Sequence, residues 1–325
     1  MGSVYLFSWI WFIIRGKNMK SAFENISDMN TAYGNEFGCA VTLVDGKKEI
    51  TEEGAVRLFN QVKNLDDEAQ ELREDGFDVL LADPQSATGR KEMFDAIADL
   101  LVFAHGAGHM LGEDITDKSR EDGMGEPLLG FEIDELRSPE GQAKIHILLD
   151  EAREKNIPEL TACLEMMTKI DSDDEAFFAD FEIVLKAAIA DFKENVKTRN
   201  FEESLEAYDG ICDMLEFFFN LKRKPEYTID LLIDRVTESN MSKICKNAEE
   251  VADTIEFYRK KGVEVYSKES PLLQEDGSPY LLVCSSKEQI VREFNEDKGA
   301  EEDKVYRANK VLKNVHWFEP NLSDF

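Results

Sequence analysis

The stretch KEMFDAIADLLVF, residues 91–103, sets the hardest condition on what this chain can fold into. It is too apolar for a surface helix, yet Asp95 and Asp99 stand on its inner turns, and the next charged residue is Glu113. A buried carboxylate without a counter-charge costs several kcal/mol. Something in the folded protein must therefore answer these charges. At 100° per residue, Glu92, Asp95 and Asp99 share an arc of about 60°, with Phe94, Ile97, Ala98 and Leu101 opposite. A solvated acidic face would be flanked by Lys, Gln or Ser. This arc is flanked by Ala96, Leu100, Phe103 and Gly106.

A second acidic helix precedes it. Leu58, Val62, Leu65, Ala69 and Leu72 recur at helical spacing, and Glu68, Glu71 and Asp75 run along the border of that stripe. The turn-rich segment GFDVLLADPQSATG, with Pro84, separates the two helices and predicts an antiparallel hairpin whose carboxylates meet at one level. The second helix is expected to start at an N-cap near Thr88 and to close at Gly112. Converging carboxylates with no base among them suit a hard cation, Mg²⁺ or Mn²⁺ in its place.

An internal repeat extends the pattern. EMFDAIADLL at 92–101 aligns with EAYDGICDML at 206–215, placing Glu206, Asp209 and Asp213 opposite Glu92, Asp95 and Asp99. The helix before the second copy reads LKAAIADF, with Ala187, Ala188 and Asp191 where the facing acids would stand. One complete acidic site per chain follows.

At 325 residues with 42 % hydrophobic residues, the chain can bury a substantial core. Its 68 acids against 38 bases leave a net charge of −30, which argues against nucleic-acid backbone binding. Five scattered cysteines without metal-type spacing read as reduced thiols of a cytoplasmic protein. Residues 1–20 form an apolar stretch foreign to the rest. Its run of about eleven residues is too short to span a bilayer, which takes about 20, so no membrane partner is expected. The alternative is an interfacial or partner-docking segment. His105 and His109, one turn apart, read as packing residues more than as zinc ligands. After Gly262, VEVYS and YLLVCSS flank EDGSP and predict a small β-hairpin. Across 304–318 the charged residues are Lys304, Arg307, Lys310 and Lys313, a local basic exception; they either close over an anionic substrate or pair with the acidic body.

The pattern DEAQE at 67–71 followed by EMFD at 92–95 resembles the paired acidic helices of MazG-like all-α nucleoside triphosphate pyrophosphohydrolases. DAIADLLVFAHGAGHMLG, the segment 234–262 and KVLKNVHWFEPNL at 310–322 are also similar to that group, in order along about half the chain. The first acid of the motif, Asp67, departs from the usual Glu. The resemblance implies an all-α fold of tandem helical-bundle units forming an internal pseudo-dimer, with the small C-terminal hairpin. It places a leader at 1–29, the first unit at 30–150, a connector at 151–180, the second unit at 181–262, and the hairpin and basic tail at 263–325. It implies Mg²⁺-dependent cleavage of a (d)NTP between the α and β phosphates, giving (d)NMP and pyrophosphate. Glu68, Glu71, Glu92 and Asp95 would hold metal and carry catalysis. Asn240 and Lys243 resemble positions of that group that contact substrate phosphate, and Lys310 and Lys313 of the basic stretch are the residues that would close over it if they do not pair with the acidic body. A homodimer beyond the internal pseudo-dimer is compatible with this. The competing expectation is an inactive acidic binding protein, such as a DNA mimic. A chain begun at Met19 is expected to fold and retain function, checked by its circular dichroism and turnover beside the full chain.

Overall fold

The computed structural model describes residues 20–114, 133–156, 158–170, 175–295 and 300–325; the leader expected at the N-terminus lies outside them, except for its last residues. Helix α1 spans Ala22–Ala32 and opens with a reciprocal cap, in which the Glu24 amide donates to Ser21 Oγ (3.1 Å) and the Ser21 amide to Glu24 Oε2 (2.8 Å). Strands β1 (Val41–Val44) and β2 (Lys47–Ile50) form a hairpin that turns at Asp45 and Gly46, both with positive φ. Asp-Gly between short strands is a tight-hairpin signature.

Helix α2 (Glu52–Glu71) buries Leu58, Val62, Leu65 and Ala69, the stripe expected from the sequence. A π-helical turn (Leu72–Phe77) and short α3 (Asp78–Ala82) lead into α4, Ala87–Leu111. Its N-cap is Ser86, whose Oγ accepts from the Gly89 amide (3.1 Å), two residues before the expected Thr88. It ends at Gly112 in the left-handed conformation, φ 70°. The π turn delivers Phe77 into the core, where it stacks on Phe178 with ring centroids 4.3 Å apart.

Residues 113–180, an acidic stretch broken by glycine and proline whose composition predicts short connecting helices, hold α5 (Ile133–Leu136), a longer α6 (Pro139–Lys155) and α7 (Pro158–Thr168) among the described residues. Ile145, Leu149 and Ala152 give α6 a buried stripe that the acidic, Gly- and Pro-broken composition had hidden. Helices α8 (Glu175–Thr198) and α9 (Phe201–Lys222) form a second hairpin through Arg199, in the left-handed region, and the α9 cap Asn200. The hairpins assemble with α2 packed on α4 and α8, and α9 on α4 and α8. Helices α10 (Ile229–Met241) and α11 (Ala248–Lys260) follow.

The C-terminal part carries the expected hairpin, β3 (Val265–Leu273) with β4 (Pro279–Ser285), and a second one, β5 (Gln289–Asn295) with β6 (Ala300–Tyr306). Beyond β6 the chain pairs again with β4, at Cys284 and Val311. It then returns to the bundle, where the Phe325 ring meets Phe94 (5.7 Å) and Tyr227 (4.4 Å), and Arg235 grips Asp324 (3.0 Å). Among the described residues helix dominates, and the strands form separate two-stranded antiparallel hairpins. All five cysteines are free thiols, and among the described residues no helix is long and apolar enough to cross a membrane.

Close approach of α4 to α9 depends on Gly108, because a Cβ there would stand 2.5 Å from the Tyr208 ring. Gly108→Ala is expected to destabilise the protein by about 1–3 kcal/mol through overpacking, read as a lower midpoint in denaturant unfolding.

Candidate functional site

The last turns of α2 and the early turns of α4 bring together Glu68, Glu71, Asp95 and Asp99. Each of these carboxyls is pushed above its ordinary range, first by desolvation and, for Glu68, Glu71 and Asp95, also by neighbouring acids. Glu68 rises to about 9, with Asp99 and Glu71 the strongest like charges on it; Asp95 rises to about 7, with Asp99 and Glu92 on it. Asp99 is raised by its deep position and restrained by Lys243, Lys310 and Lys313. Glu68, Asp95 and Asp99 remain half-buried and Glu71 lies exposed at the outer edge, so the set lines a crevice rather than a sealed core.

The lysines arrive from two other parts of the chain. Lys243 follows α10, and its ammonium is tied to Asn240 Oδ1, while the Asn240 carbonyl accepts from Tyr33 Oη (2.5 Å). Desolvation lowers Lys243 to about 8 against the pull of Asp99. Lys310 and Lys313 lie on the strand-like return after β6, and burial lowers both. Lys313 lies over the Trp317 ring at 3.3 Å, and Glu319 stands near enough to act on it and on Asp95. Acids that raise one another and lysines that lower one another thus share one region. Each set is the nearest compensation for the other.

Of the residues expected at the site, Glu68, Glu71, Asp95, Lys243, Lys310 and Lys313 act on one another electrostatically. Asn240 holds Lys243. Glu92 stands at the rim, one-third exposed and paired with Lys91 (3.0 Å), with its influence reaching Asp95. The expected ligand set omits Asp99, the carboxylate that all three lysines restrain. Its signal was present in the sequence, as the third acid of the arc and the one most closely flanked by Ala98 and Leu100. Among the described residues, no three or more Asp, Glu, His or Cys side chains stand close enough to hold a metal ion as they are placed. The donor chemistry, four carboxylates on two facing helices with no nitrogen or sulfur ligand, is of the type a hard cation would take.

In the second repeat, Glu206 and Asp209 are exposed on α9, and Ala187 and Ala188 are half-buried on α8. His109 is a buried structural group. Its Nε2 donates to the Asn35 carbonyl (3.0 Å), Nδ1 accepts from Ser27 Oγ (2.8 Å), and desolvation lowers its pKa, which keeps it neutral. His105 packs in the same helix with Nδ1 3.0 Å from Tyr208 Oη.

No protein family's sequence profile matches the chain, and no solved structure matches it. It is similar to an uncharacterized protein of Acanthamoeba polyphaga mimivirus, 22 % identical over 249 residues, covering 75 % of this chain and 76 % of that relative.

The raised carboxyls make stability depend on pH. A carboxyl whose folded pKa exceeds its unfolded value stabilises the fold while protonated, and that contribution is lost as pH rises. For Glu68 the loss runs from the ordinary glutamate range up through about 9. Glu68→Gln is expected to gain on the wild type progressively across that window in the absence of divalent cations. Paired melting curves at stepwise pH read this directly, and a difference that does not grow with pH contradicts it.

Proposed function

We propose that the chain is a Mg²⁺-dependent nucleoside triphosphate pyrophosphohydrolase that cleaves a (d)NTP between the α and β phosphates. The observation that carries this reading is the convergence of four carboxylates of α2 and α4 with Lys243, Lys310 and Lys313, drawn from three distant parts of the chain. An acidic group alone would serve a cation, and a basic group alone an anion. The two together suit a polyphosphate accompanied by a divalent cation.

In this reading Glu68, Glu71, Asp95 and Asp99 hold the cation, with Glu92 at the rim within reach of Asp95. Bound Mg²⁺ supplies charge neutralisation at phosphorus and a more acidic water. Lys310, Lys313 and Lys243 hold the phosphate oxygens, with Asn240 keeping the Lys243 ammonium in place. Any carboxylate of the set that the bound cation leaves unengaged would accept the proton of the attacking water. The repeat belongs to the same reading. The packing of α2 on α8 and α4 on α9 is what an internal pseudo-dimer of two helical units requires, with the exposed acids of α9 as a vestigial counterpart.

Pyrophosphate release from a panel of dNTPs and NTPs with Mg²⁺ tests the activity, and its absence across the panel favours the acidic binding protein. Asp95→Asn and Glu71→Gln are expected to lower turnover by about 10²–10³-fold, as the loss of one charge-stabilising contact in the transition state does. Asp209→Asn is expected to leave most activity. Equal damage from Asp209→Asn and Asp95→Asn would mean that both repeats complete the site.

A further inference from the structure

Asp67, the acid preceding Glu68 on α2, pairs with Arg307, 240 residues away and just beyond β6. The chain that follows Arg307 is a tight turn. The Lys310 amide donates to the Arg307 carbonyl (3.2 Å), and Asn309 adopts φ 63°, a left-handed conformation uncommon outside glycine. One side of this turn is fastened to the C-terminal strands. The Asn309 amide donates to the Ser285 carbonyl (2.9 Å), the Ser285 amide to the Lys310 carbonyl (3.0 Å), and Tyr266 Oη to Asn309 Oδ1 (2.9 Å). Val311 and the Leu312 amide continue the pairing along β4.

Those strands pack chiefly on α11 and α1 and have no comparable packing on α2 itself. The Arg307–Asp67 pair spans that gap. It lies at the surface, with the two side chains 29 % and 51 % exposed, where an ion pair contributes little to stability. Its location gives it a different use, because one partner adjoins Glu68 and the other closes the turn that presents Lys310.

We infer that Arg307 and Asp67 form a latch between the acidic helix and the lysine-bearing turn, and that it positions Lys310 over the phosphate side of the site. The inference rests on the pyrophosphohydrolase reading. Arg307 and Asp67 are positioning residues in it. Lys310 makes the contact with the phosphate oxygens, and the latch holds it in register with Glu68 and Asp99. Asp67 is thereby committed to Arg307 rather than to a cation.

Simple electrostatics and the latch make opposite statements about one variant. Asp67→Asn removes a negative charge beside an anion site, so field effects alone would lower KM for the nucleotide. The latch requires KM to rise, by about tenfold if the Lys310 contact is loosened, the worth of one charge-assisted hydrogen bond, with kcat changing less. Asp67→Glu, which keeps the charge, should stay near wild type. The double variant Asp67→Asn with Arg307→Gln should be no worse than Arg307→Gln alone, because a broken latch cannot be broken twice.

A lowered or unchanged KM in Asp67→Asn, or additive effects in the double variant, overturns the latch while leaving the activity standing. If the wild type releases no pyrophosphate from any nucleotide, the functional reading falls, and the latch is then read from the affinity for pyrophosphate with Mg²⁺ by calorimetry on the same variants. Weakened binding in Asp67→Asn and in Arg307→Gln supports it. Unchanged binding, or none in the wild type, overturns it.

Discussion

The structure turns on the mutual repulsion of carboxylates placed where two apolar helices meet. Glu68 and Glu71 on α2 and Asp95 and Asp99 on α4 are desolvated, and the charge of Asp99 raises the other three, a like-charge arrangement that a fold seeking only stability would discard. The remaining architecture compensates for it. The chain after α10 supplies Lys243, and the return after β6 supplies Lys310 and Lys313. That return is fastened by pairing with β4 and by the insertion of Phe325 between Phe94 and Tyr227. In a chain of net charge −30, concentrating bases at one place is a selective arrangement. A cation or a proton relieves the acids, and an anion relieves the lysines.

Two similar sequence stretches show how environment, more than residue type, sets the state of an acid. Asp95 and Asp209 align between 92–101 and 206–215, yet Asp95 is half-buried on α4 beside the acids of α2 and Asp209 lies exposed on α9. The difference traces to the partner helix, which offers Glu68 and Glu71 in one case and Ala187 and Ala188 in the other. The close α4–α9 crossing, with Gly108 against Tyr208, lets the two hairpins share one core while their acidic faces diverge in use.

Much of the helical framework was legible. The buried stripe of α2, the αL closure of α4 at Gly112 and the β3–β4 hairpin follow from spacing, a glycine and a turn cluster. The errors have physical causes. Composition outweighed periodicity in α6, where three buried apolar positions suffice among many charges. The β1–β2 hairpin was missed because its strands are four residues each and carry little pattern beyond Asp45-Gly46. Ser86 caps α4 in place of Thr88 because both residue types can cap, and only the local path of the chain selects one.

The sequence by itself determined that two acidic helices would exist and that their carboxylates would share faces, because helical period and turn chemistry are local properties of the chain. It also determined that α8 would carry Ala187 and Ala188 ahead of the acids of α9. Only the tertiary structure decided which carboxylate lies deepest, that Asp99 rather than Glu92 is the one the lysines restrain, and that Asp67 is taken by Arg307. Those outcomes depend on the depth at which helices cross and on segments more than a hundred residues apart meeting in space. Desolvation and Coulomb interaction act through distance in the folded molecule, and spacing along the chain does not contain that distance.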